Sequence, residues 1–215
     1  MRRRTFVQKA VLGGLGFGVL RNLEACARSA IGTRRGAGAG NSFAALRDRY
    51  FLYQLDRNPV TSTYLGGDAY DPSLRNIDSR LRDYSPAALD AELRYYSDTR
   101  KALAAIDQST LTAVEAVDRP LMDAQLGFLI HQLSGRYQEK SLDSYVAEPF
   151  RGVDWQIQAM SDAGSGLLGT EEEWQQVLNR TLATNAYLDV ARANLLAGKR
   201  SGNMPDKRMV RIKVS

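Results

Sequence analysis

Apolar positions along the chain recur at three- and four-residue intervals in separate blocks, and each block is bounded by residues that start or stop helices. Ser42 is the natural N-cap of the first block, FAALRDRYFLYQLDRN. Within it Phe43, Leu46, Tyr50 and Tyr53 form one stripe, broadened by Phe51 and Leu55. Pro59 stops this helix, because the residue before a proline is pushed out of the helical region. The stretch TSTYLGGDAYDPS follows, and its Gly66-Gly67 and Asp71-Pro72 pairs mark a turn-rich loop. Ser85-Pro86 starts a second helix, with serine as cap and proline in the first turn, and Leu89, Leu93, Tyr96, Leu103 and Ile106 carry its period. Thr112 and Glu115 have the spacing of a capping box for a third helix, which accommodates or restarts at Pro120, continues through LMDAQLGFLIHQL and ends at Gly135.

Positions 140–165 carry a weaker pattern, which supports a short helix around Trp155 to Met160. Thr170-Glu171-Glu172-Glu173 is the sharpest start signal in the chain: a threonine cap, a glutamate at the box position, and three acids at the positive end of the helix dipole. Trp174, Val177, Leu178, Leu182, Leu188, Ala191 and Leu195 sustain helical spacing from there to Gly198. Alternating β-branched runs are scarce. The final MVRIKVS, which alternates apolar with basic residues, is the one candidate strand. The fold class is therefore mainly α, an irregular multi-helix bundle.

The first 41 residues differ from the rest. Arg2, Arg3, Arg4 and Lys9 precede an uncharged run from Ala10 to Leu20, which falls short of the roughly 20 residues a helix needs to cross a bilayer. A basic head, a short apolar body and a small-residue exit make a cleaved signal peptide over residues 1–30. Arg3-Arg4-Thr5-Phe6-Val7 resembles the twin-arginine export signal, and Gly13, Gly14, Gly16 and Gly18 keep the apolar run only mildly hydrophobic. Two exits fit. Leu23-Glu24-Ala25-Cys26 resembles a lipoprotein box with Cys26 as the lipid carrier, although Glu24 stands where a small or apolar residue is usual. The other exit is plain cleavage after Ala27 or Ala30. Residues 31–41, IGTRRGAGAGN, read as a flexible tether, leaving 42–215 as one helical domain. The expected location is the bacterial envelope, periplasmic or lipid-anchored, with the export translocase and a membrane lipid as the partners of this leader.

Charge sharpens that division. The chain has 29 basic and 24 acidic residues, but six of the basic and one of the acidic lie within residues 1–30, so the remainder is neutral. The basic balance belongs to the leader and gives no ground for a nucleic-acid partner. With a single cysteine the chain cannot close an internal disulfide, so its stability rests on packing.

Candidate chemistry is sparse. His131 is the one histidine, and its FLIHQL setting reads as a packed or capped structural position. One histidine and one cysteine do not make a zinc site. The run GGLGFG follows no strand and lies in the leader, so it is not a nucleotide loop. Asp48, Asp56, Asp68, Asp71, Asp118, Asp123, Glu148 and Asp154 are all carboxylates able to serve as acid or base, and solvated faces are their default reading. The loop TYLGGDAYDP either lines a pocket or is an ordinary surface loop.

FLYQLDRNPVTSTYLGGDAYD, then ALAAID with LTAVEAVDRPLMDAQLGFLI, then VARANLLAGKRSGNMPDKRMV appear in an order that resembles the bacterial family called domain of unknown function 885, over about residues 43–212. The resemblance implies an exported, mostly helical protein related to zinc metallopeptidases, whose H-E-x-x-H-like helix lies well downstream. Histidines four apart share one helix face and hold one ion, and the glutamate activates its water. This sequence contains no such motif, so no catalytic or metal-binding residue is carried over. The resemblance thus casts the chain as the N-terminal half of a larger metallopeptidase-like fold. Zinc is expected only with the other half, and the second, third and fifth helices should present an apolar groove to it. A short envelope-attached helical binding or scaffold protein, with a peptide ligand, is the other class.

Overall fold

A computed structural model describes residues 42–161 and 168–214, and the side chains of that range up to residue 212. The leader, its export residues Arg3, Arg4 and Phe6, the lipid candidate Cys26 and the tether lie outside the described residues. Seven α-helices are described: α1 (Phe43–Arg57), α2 (Pro59–Tyr64), α3 (Pro86–Ala104), α4 (Ala113–Ser134), α5 (Leu142–Ser161), α6 (Glu171–Ser201) and α7 (Lys207–Val214). There is no strand among the described residues, as expected of a mainly α, multi-helix protein.

The start signals act as their chemistry requires. The Ser42 and Ser85 hydroxyls accept the backbone N–H groups of Ala45 and Ala88. Thr112 with Glu115 and Thr170 with Glu173 form complete capping boxes, in which hydroxyl and carboxylate each satisfy a backbone donor that the first helical turn leaves over. Gly135 ends α4.

The proline break lies where expected, and three local expectations are corrected. Pro59 stops α1 as expected, with Asn58 before it out of the helical region, and it then occupies the first turn of α2, where its missing N–H costs no hydrogen bond. The supposed loop therefore begins as helix and continues as the 3-10 turns Gly67–Ala69, Pro72–Leu74 and Ile77–Ser79. The short helix around Trp155 extends over all of Leu142–Ser161, with Pro149 inside it. Its buried positions Tyr145, Pro149, Gly152, Gln156 and Met160 are spaced helically but include few hydrophobes, which hid the period. The MVRIKVS segment is helical rather than extended: the Asp206 carboxylate accepts the Arg208 N–H at 2.7 Å, and no described strand exists for it to pair with.

Packing divides the helices into two regions. Phe43, Leu46 and Tyr50 of α1 meet Tyr96 and Leu103 of α3 and Met122 and Leu126 of α4 in the principal apolar core. Leu55, Leu74 and Ile77 form a second cluster under the 3-10 turns, and Tyr145 of α5 with Tyr187 and Ala191 of α6 form a third.

In α6 the polar and apolar faces are inverted. Its buried residues are Gln176, Val177, Arg180, Tyr187, Ala191, Asn194 and Gly198. Trp174, Leu178, Leu182, Leu188 and Leu196 are exposed, Leu182 to 67%. Gly198 does not end this helix, because Gly202, at φ 75°, is its left-handed C-cap. What Gly198 provides is space: a Cβ there would lie 2.5 Å from the carbonyl oxygens of Asn203 and Glu139. The outer face of α4 is apolar too. Val114, Val117, Leu121 and Phe128 are exposed at the spacing of a coiled-coil seam, on the side away from buried Met122 and Leu126.

Candidate functional site

The polar face that α6 buries is one half of a connected polar interior. Arg180 is fully buried and donates through all three guanidinium nitrogens. Its Nε reaches the carbonyl of Arg80 at 2.9 Å; Nη1 reaches the Gly152 carbonyl and Gln156 Oε1, both at 3.0 Å; Nη2 reaches Thr63 Oγ1 at 2.8 Å and the Ile77 carbonyl at 3.0 Å. The Thr63 hydroxyl donates in turn to Asp78 Oδ1 at 2.6 Å, and Gln156 Nε2 donates to the Asp78 carbonyl at 2.7 Å. One side chain thus ties α2, α5, α6 and the 3-10 segment together. Burial pushes the Arg180 guanidinium down to about 10. Gly152 gives it room, since a Cβ there would stand 2.9 Å from Arg180 Cδ.

A second polar group lies where the segment before α3 crosses α1. Glu92 is 1% exposed and bound by two arginines. Arg82 Nη2 donates to both carboxylate oxygens at 2.7 and 2.8 Å, and Arg57 Nη2 donates to Oε2 at 3.2 Å. The Tyr96 hydroxyl donates to Oε1 at 2.5 Å, and Arg82 Nη1 also donates to Asn58 Oδ1. Two cations on one anion are sustained by these hydrogen bonds, without which buried charge is costly.

Between these groups and the surface lies a cavity of about 180 Å³ lined by Asn58, Thr61, Tyr84, Glu148, Arg151 and Trp155, among others. Helical spacing sets one wall: Asp143, Ala147, Arg151 and Trp155 recur every four residues on α5, and Glu148 stands beside them. Glu148 Oε1 accepts the Arg82 backbone N–H at 2.9 Å, and Oε2 accepts the Tyr84 hydroxyl at 3.2 Å. Burial raises the Glu148 carboxyl above its ordinary value, only partly offset by those bonds and by Arg82. Burial likewise raises Tyr84, with the Glu148 charge adding to the effect. The Tyr84 ring packs edge-on against Tyr145 at 5.0 Å, and the Arg82 guanidinium lies 5.0 Å from its centre. The arrangement is a carboxylate held in place on both oxygens inside a partly aromatic hollow.

Of the carboxylates picked out from sequence, Glu148 alone lines this cavity. Asp48 and Asp118 pair with Arg47, Asp56 pairs with Arg80, and Asp123 pairs with Arg100, all at the surface. Asp71 caps Ser73, Asp68 accepts from Gln176, and Asp154 accepts from Gln158. The TYLGGDAYDP loop does not line the cavity, though its Tyr64 packs on Trp155 at 4.9 Å. His131 is not packed: it is exposed on the outer side of α4, since five residues beyond buried Leu126 the helix has rotated by about 140° from the core face. Sequence reasoning passed over Arg82, Tyr84, Glu92, Arg151 and Arg180. The available signal was a charged residue at core spacing, Glu92 four before Tyr96 and Arg180 three after Val177.

Among the described residues no three His, Cys, Asp or Glu side chains come together as a set that could hold the zinc the resemblance implies.

A mainly helical fold whose described residues hold a buried polar interior and a carboxylate-lined cavity describes a class only. The model of the family described as bacterial protein of unknown function (DUF885) matches residues 59–215, well over half of the 215-residue chain, and the protein belongs to that family. No match was found among curated proteins or among solved structures.

Proposed function

We propose that this protein is the N-terminal helical portion of an exported, peptide-hydrolase-related protein, and that it carries no hydrolytic centre of its own. Its work in that reading is to seat a zinc-bearing segment supplied by the remainder of the fold. The supporting observation is the outward apolar seam of α4, Val114, Val117, Leu121 and Phe128; α6 separately exposes Leu178, Leu182, Leu188 and Leu196. Large exposed apolar faces mark surfaces made to be covered. The twin-arginine residues Arg3 and Arg4 with Phe6 address the chain to the export translocase, and Cys26 is the candidate lipid attachment. The test is to read the coding DNA beyond Ser215 in all three frames. An H-E-x-x-H-encoding helix supports the proposal. Metal-dependent peptide hydrolysis by this chain alone, abolished by His131→Ala, overturns it.

A second reading is favoured by one observation, the cavity at Glu148: a short, envelope-attached binding or scaffold protein. A defined small ligand for a stable monomer, with no catalytic segment encoded downstream, supports that reading instead.

A further inference from the structure

We infer that the cavity between α2 and α5 binds the primary ammonium group of a small amino compound, with the Glu148 carboxylate as its acceptor and Arg151 at the rim as the anchor for a carboxylate or carbonyl on the same molecule. The inference depends on the cavity alone and holds under either reading of the protein.

Size comes first. A cavity of about 180 Å³ holds roughly six waters at liquid density, so it admits a molecule of amino-acid size or the terminal residue of something longer. It is too small for a nucleotide or a drug-sized ligand, whose sites run to roughly 300–1,000 Å³.

Chemistry comes next. A carboxylate offers about four acceptor positions. Glu148 uses one on the Arg82 N–H and one on the Tyr84 hydroxyl, which leaves each oxygen able to accept again. The cations behind it are committed elsewhere, since the Arg82 guanidinium binds Glu92 and Asn58. A largely desolvated carboxylate with spare acceptors, in direct ion pair with none of the described cations, gains most from an ammonium donor. Arg151 lies one turn further along α5, is exposed, and makes no ion pair with any described residue. Glu148 and Arg151 are three residues apart on one helix, so both charges address the same hollow. That is the pattern of an α-amino acid, ammonium inward and carboxylate at the rim. Trp155 and Tyr84 supply the apolar walls that a side chain or a cation would meet.

The chemistry is shared by a free amino acid and by the amino terminus of a peptide, and the probes separate them. The purified chain is titrated by amide NMR with leucinamide, leucine, Leu-Gly-Gly and acetyl-leucine. Leucinamide and leucine should bind with dissociation constants near or below about 1 mM, and acetyl-leucine, which lacks the ammonium, should not. Leu-Gly-Gly binding at least as tightly as leucine identifies a peptide terminus, and its exclusion identifies a free amino acid; each outcome supports the site. Glu148→Gln should weaken leucinamide at least about tenfold. Arg151→Gln should weaken leucine several-fold while leaving leucinamide unchanged, and as an exposed residue it leaves the fold intact. Equal binding of acetyl-leucine and leucinamide, no binding by any probe up to about 10 mM, or insensitivity of both ligands to both variants would overturn the inference. Should Glu148→Gln fail to fold, the Arg151→Gln contrast between leucine and leucinamide decides alone.

Discussion

Replacing Arg180 with methionine keeps most of the side chain's length and apolar stem but removes every donor. Five oxygens then lose a donor at once: the carbonyls of Arg80, Gly152 and Ile77, Gln156 Oε1 and Thr63 Oγ1. Three of them keep another bond, since Ile77 still accepts the Arg80 N–H, Gly152 lies within α5 and Thr63 still donates to Asp78, so the Arg80 carbonyl and Gln156 Oε1 are the ones left bare. An unsatisfied buried acceptor costs roughly 1–3 kcal/mol, which for these two comes to roughly 2–6 kcal/mol if simply added. Two effects reduce the sum. The wild type bears the cost of desolvating a guanidinium, visible in its depressed proton affinity, and the variant is freed of it. Some orphaned carbonyls will also reach water. Breaking a buried charged centre on one side typically costs about 3–5 kcal/mol, and that is the expected loss for Arg180→Met. Against a total stability of about 5–15 kcal/mol this removes a large share. The assay is equilibrium urea unfolding followed by far-UV circular dichroism, with the loss read from the midpoint at constant slope. Arg180→Lys should not rescue, since one ammonium with three donors cannot span five acceptors on three elements. A loss below about 1 kcal/mol for Arg180→Met would refute the idea that this side chain organises the interior.

Other outcomes follow from the same geometry. Thr170→Ala removes the hydroxyl of the α6 capping box and should cost about 1 kcal/mol by the same urea assay. Gly198→Ala should destabilise more than its improved helix propensity gains, because its Cβ would meet two carbonyl oxygens at 2.5 Å; an increase in melting temperature would contradict this. Glu148 faces Tyr84 and Arg82 from the segment before α3, Asp143 and Arg151 from its own helix, and Arg180 and Tyr187 from α6. Because its folded-state proton affinity is raised, its contribution is fully present below the unfolded carboxyl value and is lost as pH rises through the folded one. Stability plotted against pH should therefore fall across the window just above the ordinary glutamate range, and Glu148→Gln should flatten that fall. Glu115 behaves oppositely: the Thr112 backbone and hydroxyl donors lower it, so its contribution is present above the unfolded value and disappears in acid. Glu115→Gln should make the acid limb shallower.

Helix positions were legible wherever local chemistry sets the backbone. Ser42, Ser85, Thr112 and Thr170 each satisfy their own first turn, so no distant contact is needed to read them. The α5 helix was harder, because it packs through Gly152, Pro149 and Gln156 rather than through a leucine stripe, and tertiary contacts with Val60 and Arg180 decide its length. The direction of α6 was illegible for a related reason. A hydrophobic period says that apolar residues share a face, not that the face points inward. Here Arg180 and Asn194 are inside because backbone carbonyls of Arg80, Gly152, Ile77 and Tyr84, far off in sequence, wait for donors. The cavity shared that fate: Glu148 was visible as one carboxylate among eight, whereas Asn58 and Tyr84 reach it only once the chain is folded.

The account stands most directly on what the outer seam of α4 is for. Sedimentation velocity on this chain mixed with the H-E-x-x-H-bearing segment that the proposed function calls for measures it. The prediction is a one-to-one complex that Leu121→Asp with Phe128→Asp abolishes, while the doubly substituted chain by itself unfolds within about 0.5 kcal/mol of the original, as exposed positions should. No complex at all, a complex indifferent to the two aspartates, or a substituted chain that no longer folds would contradict it.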